Sequence, residues 1–363
     1  MRASRRSSKL VHLRDEGALD RWHTDAGTTD RGRYVDNISR LSPAIDSSHV
    51  SVLETPDALE ALTRACSEDL ISAFGLGDVR FGRAALEKIT NPAARWLARQ
   101  AATYDEVVGE SGLGAGGAWA LRRMARRVEV EGLENVPREG PVLLVSNHPG
   151  LADAVALFSA IPREDLRVLA ADRPFLAALP NTSQHLITVS EDSQRRSNII
   201  RTVARHLKSC GAVLTFPGGR IEPDPAVLPG AVESLERWSG SVDLFARLVP
   251  GLTVAPVVVS GVLSRTALRN PLVLIRRERS DREWLAATFQ MLVPALRHVT
   301  TRVEFGSPIR AKDGVRVSQT VLDETRRLIT RITKCPCGAR PRTPGYELES
   351  SCSPARLPSS TYN

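Results

Sequence analysis

His148 and Asp153 are the two residues whose types and spacing are best suited to acid–base chemistry. They lie in the run Asn147-His148-Pro149-Gly150-Leu151-Ala152-Asp153, directly after an apolar segment of strand length. On a continuous helix a separation of five residues would place the two side chains about 140° apart, but the Pro149-Gly150 turn can bring them together. A carboxylate bound to one imidazole nitrogen fixes the tautomer and leaves the other nitrogen free to accept a proton. The sequence therefore favours a general base at His148; the alternative is a loop-capping histidine beside a helix-capping aspartate.

Two further blocks could bind an anion. In Phe216-Pro217-Gly218-Gly219-Arg220-Ile221-Glu222, a buried strand runs into Gly218 and Gly219 and then Arg220. Glycines allow backbone N–H groups to approach a phosphate, and arginine adds a charged fork of donors. Arg195 and Arg196, at the start of a predicted helix, could also reach a bound phosphate. An ordinary strand–turn and a solvated helix face are the competing interpretations.

The elements that must position these residues follow an alternating pattern from Val128 onwards. Apolar runs of strand length alternate with helical stretches, which indicates an α/β fold whose mostly parallel sheet is flanked by helices. The predicted strands are Val128–Val130, Val142–Val145, Leu166–Ala170, Leu186–Val189, Ala212–Phe216, Thr253–Val259 and Arg302–Phe305. The predicted helices are Ala152–Ile161, Arg195–Lys208, Ala226–Trp238, Arg282–His298 and Gln319–Thr333.

A small helical segment is predicted to precede this α/β domain. We divide the chain into a disordered arm over 1–54, the helical segment over 55–127, the α/β domain over 128–334 and a disordered tail over 335–363. Within the helical segment, the stretch Ala118–Arg127 is predicted to be a helix with arginines on one face. Such a helix can lie on a membrane surface, although a packed helix with a solvated arginine face fits equally well.

Composition excludes several classes of protein. The chain has 363 residues, of which 42% are hydrophobic and 25% charged, as in ordinary globular proteins, and no apolar run long enough to span a membrane is apparent. Five scattered cysteines argue against a disulfide framework and for an intracellular protein, and they form no recognisable metal motif. The net charge of +8 points to an anionic partner, such as nucleic acid, an anionic membrane or a phosphorylated small molecule.

The blocks taken together resemble the glycerolipid acyltransferases, the superfamily of lysophosphatidic-acid and glycerol-3-phosphate acyltransferases. Asn147, His148 and Asp153 match its Asn-His-x4-Asp block, and Phe216, Pro217 and Gly219 match part of its Phe-Pro-Glu-Gly-Thr-Arg-Ser block. The resemblance covers about Val128 to Ile309 and includes a Pro-containing apolar strand at Val254–Val259. Two departures affect the acceptor site: Gly218 replaces the family's glutamate, and Arg220 stands one position early.

The resemblance implies acyl transfer from acyl-CoA or acyl-carrier protein to a hydroxyl of a lysophospholipid or glycerol-phosphate-like acceptor, without a cofactor or metal. It implies that His148 is the general base and that Asp153 orients it. Backbone N–H groups around Gly150 would stabilise the oxyanion. The expected substrate-binding residues are Asn147, Gly150, Arg195, Arg196, Gly218, Gly219, Arg220 and Glu222. The acyl chain would lie against Trp284, Phe289, Leu292 and Leu296. The expected location is the cytoplasmic face of a membrane.

Three other functions compete with acyl transfer. A hydrolase would need a nucleophile, but no Gly-x-Ser-x-Gly elbow is present and Ser146 is poorly placed for activation by His148. A nucleic-acid-binding protein fits the net charge, but only 5% of the residues are aromatic, so stacking surfaces are scarce and no nucleic acid is expected. A family member that binds lipid without catalysis is compatible with the altered Phe216–Glu222 block.

Overall fold

One mixed sheet organises the chain. The computed structural model describes residues 56–189, 193–311, 316–334 and 346–347. The strands are β1 (Arg127–Glu131), β2 (Val142–Ser146), β3 (Arg167–Ala171), β4 (Leu186–Val189), β5 (Ala212–Thr215), β6 (Thr253–Ser260), β7 (Thr300–Phe305), β8 (Ile309–Arg310) and β9 (Tyr346–Glu347). They are ordered β4-β3-β5-β2-β6-β7-β1-β9, and β8 pairs with β6. From β4 to β6 every neighbouring pair is parallel, whereas β6 and β7 are antiparallel. The mostly parallel sheet expected from the sequence is confirmed.

Helices cover both faces of the sheet. They are α1 (Pro56–Ala73), α2 (Arg83–Leu121), α3 (Ala152–Ala160), α4 (Pro174–Ala177), α5 (Pro180–Ser183), α6 (Ser193–Lys208), α7 (Ala231–Ser234), α8 (Ser241–Leu248), α9 (Arg265–Leu268), α10 (Arg279–Leu292) and α11 (Val317–Lys334). On one face, α2, α3 and α10 pack against alternate residues of β2 such as Leu144. On the other face, α6, α8 and α11 pack against Leu143 and Val145. Because both faces are covered, β2 is buried at every position and reads as a continuous apolar run.

Small residues bring α2 and α3 into close contact. A Cβ on Gly117 would lie 2.7 Å from the Val155 carbonyl oxygen and 2.8 Å from Cβ of Phe158, so only glycine permits this approach. The glycines at 112, 114, 116 and 117 predict a flexible joint, and the structure has a kink in α2 at the first of them. Only Gly112 departs from helical geometry within α2, with φ 83°. Gly117 therefore allows α2 to pack closely against α3.

The prediction of a basic helix over Ala118–Arg127 is wrong. Helix α2 ends at Leu121, a turn follows, and Arg127 already belongs to β1. Trp119 is largely buried, and the Arg123 guanidinium lies over its ring at 3.6 Å and binds the Gln100 side chain. The arginines of this segment are therefore divided between a turn, a ring contact and a strand rather than aligned on one helix face.

Two other helices are shorter than predicted. Within Ala226–Trp238, α7 begins only after Pro229-Gly230 and gives way to a 3-10 turn over Leu235–Arg237. Helix α10 ends at Leu292, because Pro294 starts a separate 3-10 turn. In both cases the apolar spacing continues past a residue that the helical backbone does not accommodate.

Arg163 ties together three loops at the end of the sheet opposite the candidate site. Its guanidinium forms a two-pronged contact with Asp165, at 2.8 Å on each oxygen. It also donates to the carbonyl oxygens of Pro137, Gly140 and Cys210 at 3.1, 3.1 and 2.7 Å. The side chain is only 4% exposed. A planar fork of donors is what allows one residue to bind all of these acceptors.

We expect Arg163→Lys to lower the free energy of unfolding by about 2–4 kcal/mol, because an ammonium group leaves some of the three carbonyl oxygens buried without a donor. Urea denaturation followed by circular dichroism measures this loss. The exposed Arg138 provides the matched control, and Arg138→Lys should change stability by less than about 0.5 kcal/mol. Equal stability of the two variants would contradict the role given to Arg163.

Among the helices of the described residues, none has both the length and the apolar character needed to cross a membrane.

Candidate active site

His148 and Asp153 lie together at the carboxyl end of β2. The backbone turns after Ser146, and α3 begins at Ala152, so Asp153 is in the first turn of that helix. His148 Nδ1 is 2.6 Å from Asp153 Oδ2. Asp153 is completely buried and is further fixed by the Ala154 backbone N–H, which donates to Oδ1 at 2.6 Å. The Pro149-Gly150 turn thus brings the two side chains together, as expected, and leaves Nε2 as the ring nitrogen available to a substrate.

The surroundings of His148 raise its pKa. Burial favours the neutral ring and lowers the pKa, but the charge of Asp153, the hydrogen bond to it and the charge of Glu222 outweigh burial. The pKa of His148 therefore lies above its ordinary value of 6.5. A ring of this kind is a stronger base than an unpaired histidine. It is mostly neutral, and so able to accept a proton, at pH values above its own pKa. The side chain remains 29% exposed, so a substrate can reach it.

Asn147, the residue after β2, binds the backbone of β6 through its side chain. Its Nδ2 donates to the Val259 carbonyl oxygen at 2.9 Å, and its Oδ1 accepts from the Val259 N–H at 2.8 Å. The residue is 1% exposed. Because both ends of the carboxamide are bound within the protein, Asn147 joins the end of β2 to β6, and its role in substrate binding stays a prediction.

The Phe216–Glu222 block packs directly against the histidine. The rings of Phe216 and His148 have centroids 4.7 Å apart and are tilted by 34°. Glu222 is 2% exposed, and its Oε2 accepts the His148 backbone N–H at 3.0 Å. Its Oε1 accepts the indole N–H of Trp238 at 2.8 Å. Glu222 was expected to bind substrate; the structure instead places its carboxylate behind the histidine.

The other expected anion-binding residues have mixed positions. Gly218 faces the Glu222 carboxyl group, and a Cβ there would be 3.0 Å from its Cδ, so the glycine makes room for Glu222. Gly219 adopts φ 63°, and open space surrounds the position of a Cβ there. Arg220 follows it and is exposed. Arg195 and Arg196 lie in the first turn of α6, but their side chains are outside the described part of the structure.

Arg173 is a charged residue near the site that sequence reasoning missed. It follows β3, next to the start of α4, and is exposed. Its positive charge acts on His148 and opposes the rise in the pKa of that ring. The signal was available in the sequence, since an arginine two positions after a parallel strand lies at the edge of the sheet where ligands bind.

A largely apolar cleft opens beside the histidine loop. Its walls come from the turn after β2, the loop after β6, the turn after α2 and one face of α10. The lining side chains include Met124, Leu151, Ile221, Val262, Trp284 and Met291. Of the four residues expected to contact an acyl chain, Trp284 lines this cleft. Phe289 instead packs edge-on against Phe74, with centroids 5.7 Å apart, and Leu292 and Leu296 pack against core clusters.

The loop after β6 that lines the cleft is held by Asp224. This fully buried carboxylate accepts the backbone N–H groups of Gly261, Val262 and Leu263 at 2.8, 2.8 and 3.1 Å, and that of Ala226 at 2.9 Å. Burial raises the pKa of Asp224, and these hydrogen bonds act against that rise. The segment after β5 thus supports both parts of the site: Glu222 binds the backbone of His148, and Asp224 holds a loop that lines the cleft.

Two further details bear on the chemistry. Ser146 is fully buried and donates to the Asn147 carbonyl oxygen at 2.9 Å, so its hydroxyl is not presented as a nucleophile. The Gly150 N–H, expected to stabilise an oxyanion, is directed to Asp153 Oδ2 at 3.3 Å. Within the described ranges, no three His, Cys, Asp or Glu side chains group as metal ligands.

A family model described as Acyltransferase matches residues 127–260. This part of the chain is similar to that family, and it contains the sequence blocks that resemble the glycerolipid acyltransferases. The matched residues take in β1 through β6 together with His148, Asp153, Glu222 and Trp238. Helix α10, which forms one wall of the cleft, lies beyond the matched residues.

Other similarities of this chain are more limited. Uncharacterized proteins of Mycobacterium tuberculosis strain H37Rv and of Mycobacterium bovis are each 38% identical over 80 residues, which cover 19% of this chain. The match spans 22% of the length of these relatives. Among solved structures, the 1-acyl-sn-glycerophosphate (LPA) acyltransferase PlsC from Thermotoga maritima aligns over 78% of this chain and 99% of its own, with 15% identity and a TM-score of 0.37.

Proposed function

We propose that this protein is an acyltransferase that moves a fatty acyl group from a thioester, acyl-CoA or acyl-carrier protein, to a hydroxyl of a lysophospholipid or glycerol-phosphate-like acceptor. The observation that carries the proposal is the 2.6 Å contact between His148 and Asp153 beside an apolar cleft. A base that is oriented by a buried carboxylate suits an alcohol, whose proton must leave as its oxygen attacks. The cleft suits an acyl chain, because burying each CH₂ of such a chain contributes about 0.8 kcal/mol.

In the proposed reaction, His148 Nε2 removes the proton of the acceptor hydroxyl while the oxygen attacks the thioester carbonyl carbon. The tetrahedral intermediate then expels the thiolate as the new ester forms. The imidazolium returns its proton to the thiolate, so the products are an ester and a free thiol. Asp153 holds the ring in the required tautomer and stabilises its charged form between the two steps.

The acceptor phosphate is assigned to the exposed arginines at the sheet edge. Arg173 acts electrostatically on His148, and Arg220 is two residues from the carboxylate that holds the His148 backbone. The planar guanidinium group of arginine can donate two hydrogen bonds to the oxygens of a phosphate monoester, which carries up to two negative charges. Among acceptors, those that carry a phosphate should therefore react with the lower KM.

The test is a panel assay with labelled acyl-CoA and acyl-carrier protein as donors. The purified chain is given lysophosphatidic acid, other lysophospholipids, glycerol 3-phosphate or monoacylglycerol, or no acceptor. Ester formation with a phosphorylated acceptor is the expected result. Release of free fatty acid at the same rate with and without acceptor would indicate a hydrolase. Lipid binding without any product would indicate a family member that does not catalyse.

Because the acceptor is a lipid, the proposal includes contact with a membrane surface. Two neighbouring segments, 76–81 and 271–275, expose apolar side chains, with Phe81 96% and Leu274 67% exposed. The segments adjoin, since Gly75 lies directly against the Arg276 side chain. Exposed apolar groups of this kind insert between lipid headgroups.

We expect the double change Phe81→Ser and Leu274→Ser to reduce sedimentation with vesicles of phosphatidylglycerol and phosphatidylethanolamine by roughly tenfold, from the apolar area removed. The control is Glu236→Gln, a substitution at an exposed polar residue. A partly buried apolar residue such as Leu296 would not serve as a control, because replacing it would disturb the core. Vesicle binding that persists in the double variant would place the membrane contact elsewhere.

A further inference from the structure

Glu222 holds the backbone of His148 at two points. The Glu222 carboxylate accepts the His148 N–H at 3.0 Å, and the Glu222 N–H donates to the His148 carbonyl oxygen at 2.8 Å. The two residues are 74 positions apart in the chain. His148 has just left β2, so its backbone groups no longer have partners in the sheet ladder, and Glu222 takes the place of a neighbouring strand.

The Glu222 carboxylate is itself held from behind. Its second oxygen accepts the Trp238 indole N–H at 2.8 Å. Trp238 follows the 3-10 turn over Leu235–Arg237, and the next residue, Ser239, donates its N–H to the Pro217 carbonyl oxygen at 3.2 Å. Gly218 provides the space that the carboxyl group occupies. Each oxygen of Glu222 thus has a defined donor, and the side chain is fixed in one orientation.

We propose that Glu222, fixed by Trp238, is the positioning residue that sets the place and the basicity of His148 in the reaction, an inference that rests on the proposed function. This role differs from the substrate binding that the sequence predicts for Glu222. Two effects are separable. The hydrogen bonds fix where the imidazole stands relative to the substrate, and the negative charge favours the imidazolium that forms when the base accepts its proton.

The charges around the ring give the two effects different signatures. Asp153 and Glu222 favour the protonated ring, while Arg173 disfavours it. Glu222→Gln removes one negative charge and keeps the size of the side chain, but its amide nitrogen must then face one of the two N–H donors. Trp238→Phe removes one hydrogen bond and keeps the charge of Glu222. Only the first variant should change the basicity of His148.

The experiment measures His148 directly and then measures turnover. Imidazole ¹⁵N resonances are followed over pH in the wild-type chain, and the His148 signal is the one missing from His148→Gln. In Glu222→Gln, the His148 titration should move to lower pH, and kcat should fall roughly 10–100-fold with little change in KM, because the ring is displaced. In Trp238→Phe, kcat should fall while the titration midpoint stays. Glu236→Gln, on the exposed surface of the neighbouring turn, is the control and should match wild type in both.

The proposal is overturned if the His148 titration in Glu222→Gln matches that of the wild type. It is also overturned if kcat falls no further in Glu222→Gln than in Glu236→Gln. Should Glu222→Gln fail to fold, Glu222→Asp serves instead, since it keeps the charge and shortens the reach; kcat should fall and the titration should shift little. If the wild-type chain transfers no acyl group to any acceptor, the proposed function fails, while the titrations still decide whether Glu222 sets the basicity of His148.

Discussion

Replacing His148 with alanine is expected to lower kcat for acyl transfer by roughly 10²–10⁴-fold, the usual contribution of a general base. Without the imidazole, the acceptor hydroxyl must attack the thioester with its proton in place. The stacked Phe216 ring and the buried Asp153 carboxylate supply no substitute base, since Asp153 is completely inaccessible to substrate. KM for the thioester should change little, because the apolar cleft remains.

The measurement is initial rate against acceptor concentration in the panel assay. His298 is exposed and distant in sequence, so His298→Ala serves as the matched control and should retain wild-type rates. Circular dichroism and thermal unfolding establish that both variants are folded. Equal product from His148→Ala and the wild-type chain would remove His148 from the mechanism and with it the proposed reaction.

Asp153→Asn is expected to cost nearly as much, roughly 10²–10⁴-fold in kcat, and to change the pH profile as well. An asparagine amide can donate to Nδ1 and so favour the wrong tautomer, in which Nε2 carries the proton. The carboxylate also raises the pKa of His148, and burial, which lowers that pKa, then acts with less opposition. Activity that depends on the neutral ring rises with pH through the pKa of His148. The midpoint of the rise should therefore lie above pH 6.5 in the wild-type chain and move to lower pH in the variant.

The pH dependence of kcat/KM, measured between about pH 5 and 9, tests this shift for the free enzyme. A matched change at an exposed acidic residue, Asp323→Asn, should leave both the rate and the acid limb unchanged. An acid limb that stays in place in Asp153→Asn, or moves to higher pH, would contradict the electrostatic role given to the carboxylate.

Much of the fold could be predicted because the information is local. The strands β2, β5 and β6 are buried on both faces, so each reads as an apolar run of the right length. The turn at Pro149-Gly150 is likewise written in two adjacent residues, and it brings His148 onto Asp153. The helix predicted over Ala226–Trp238 failed because apolar spacing was given more weight than Pro229-Gly230.

The support of the site could not be predicted, because it depends on pairs that are distant in the chain. The contact of Asn147 with Val259 spans 112 residues, and that of Glu222 with His148 spans 74. A sequence shows that an asparagine or a glutamate is present, but not which buried backbone groups it meets. Asn147 and Glu222 were therefore expected to bind substrate, whereas in the structure both bind backbone groups of the protein, as does Asp224.

The side chain of Gln290 joins the walls of the cleft. From α10 it accepts the Ser264 N–H at 2.8 Å and donates to the carbonyl oxygens of Val262 and Met124 at 2.9 and 3.3 Å. These hydrogen bonds connect α10 to the loop after β6 and to the turn after α2. The loop after β6 is also held by Asp224. We infer that walls joined in this way move little relative to one another when a ligand enters. The rate of transfer should therefore depend on the length of the acyl chain, which a series of acyl-CoA donors measures.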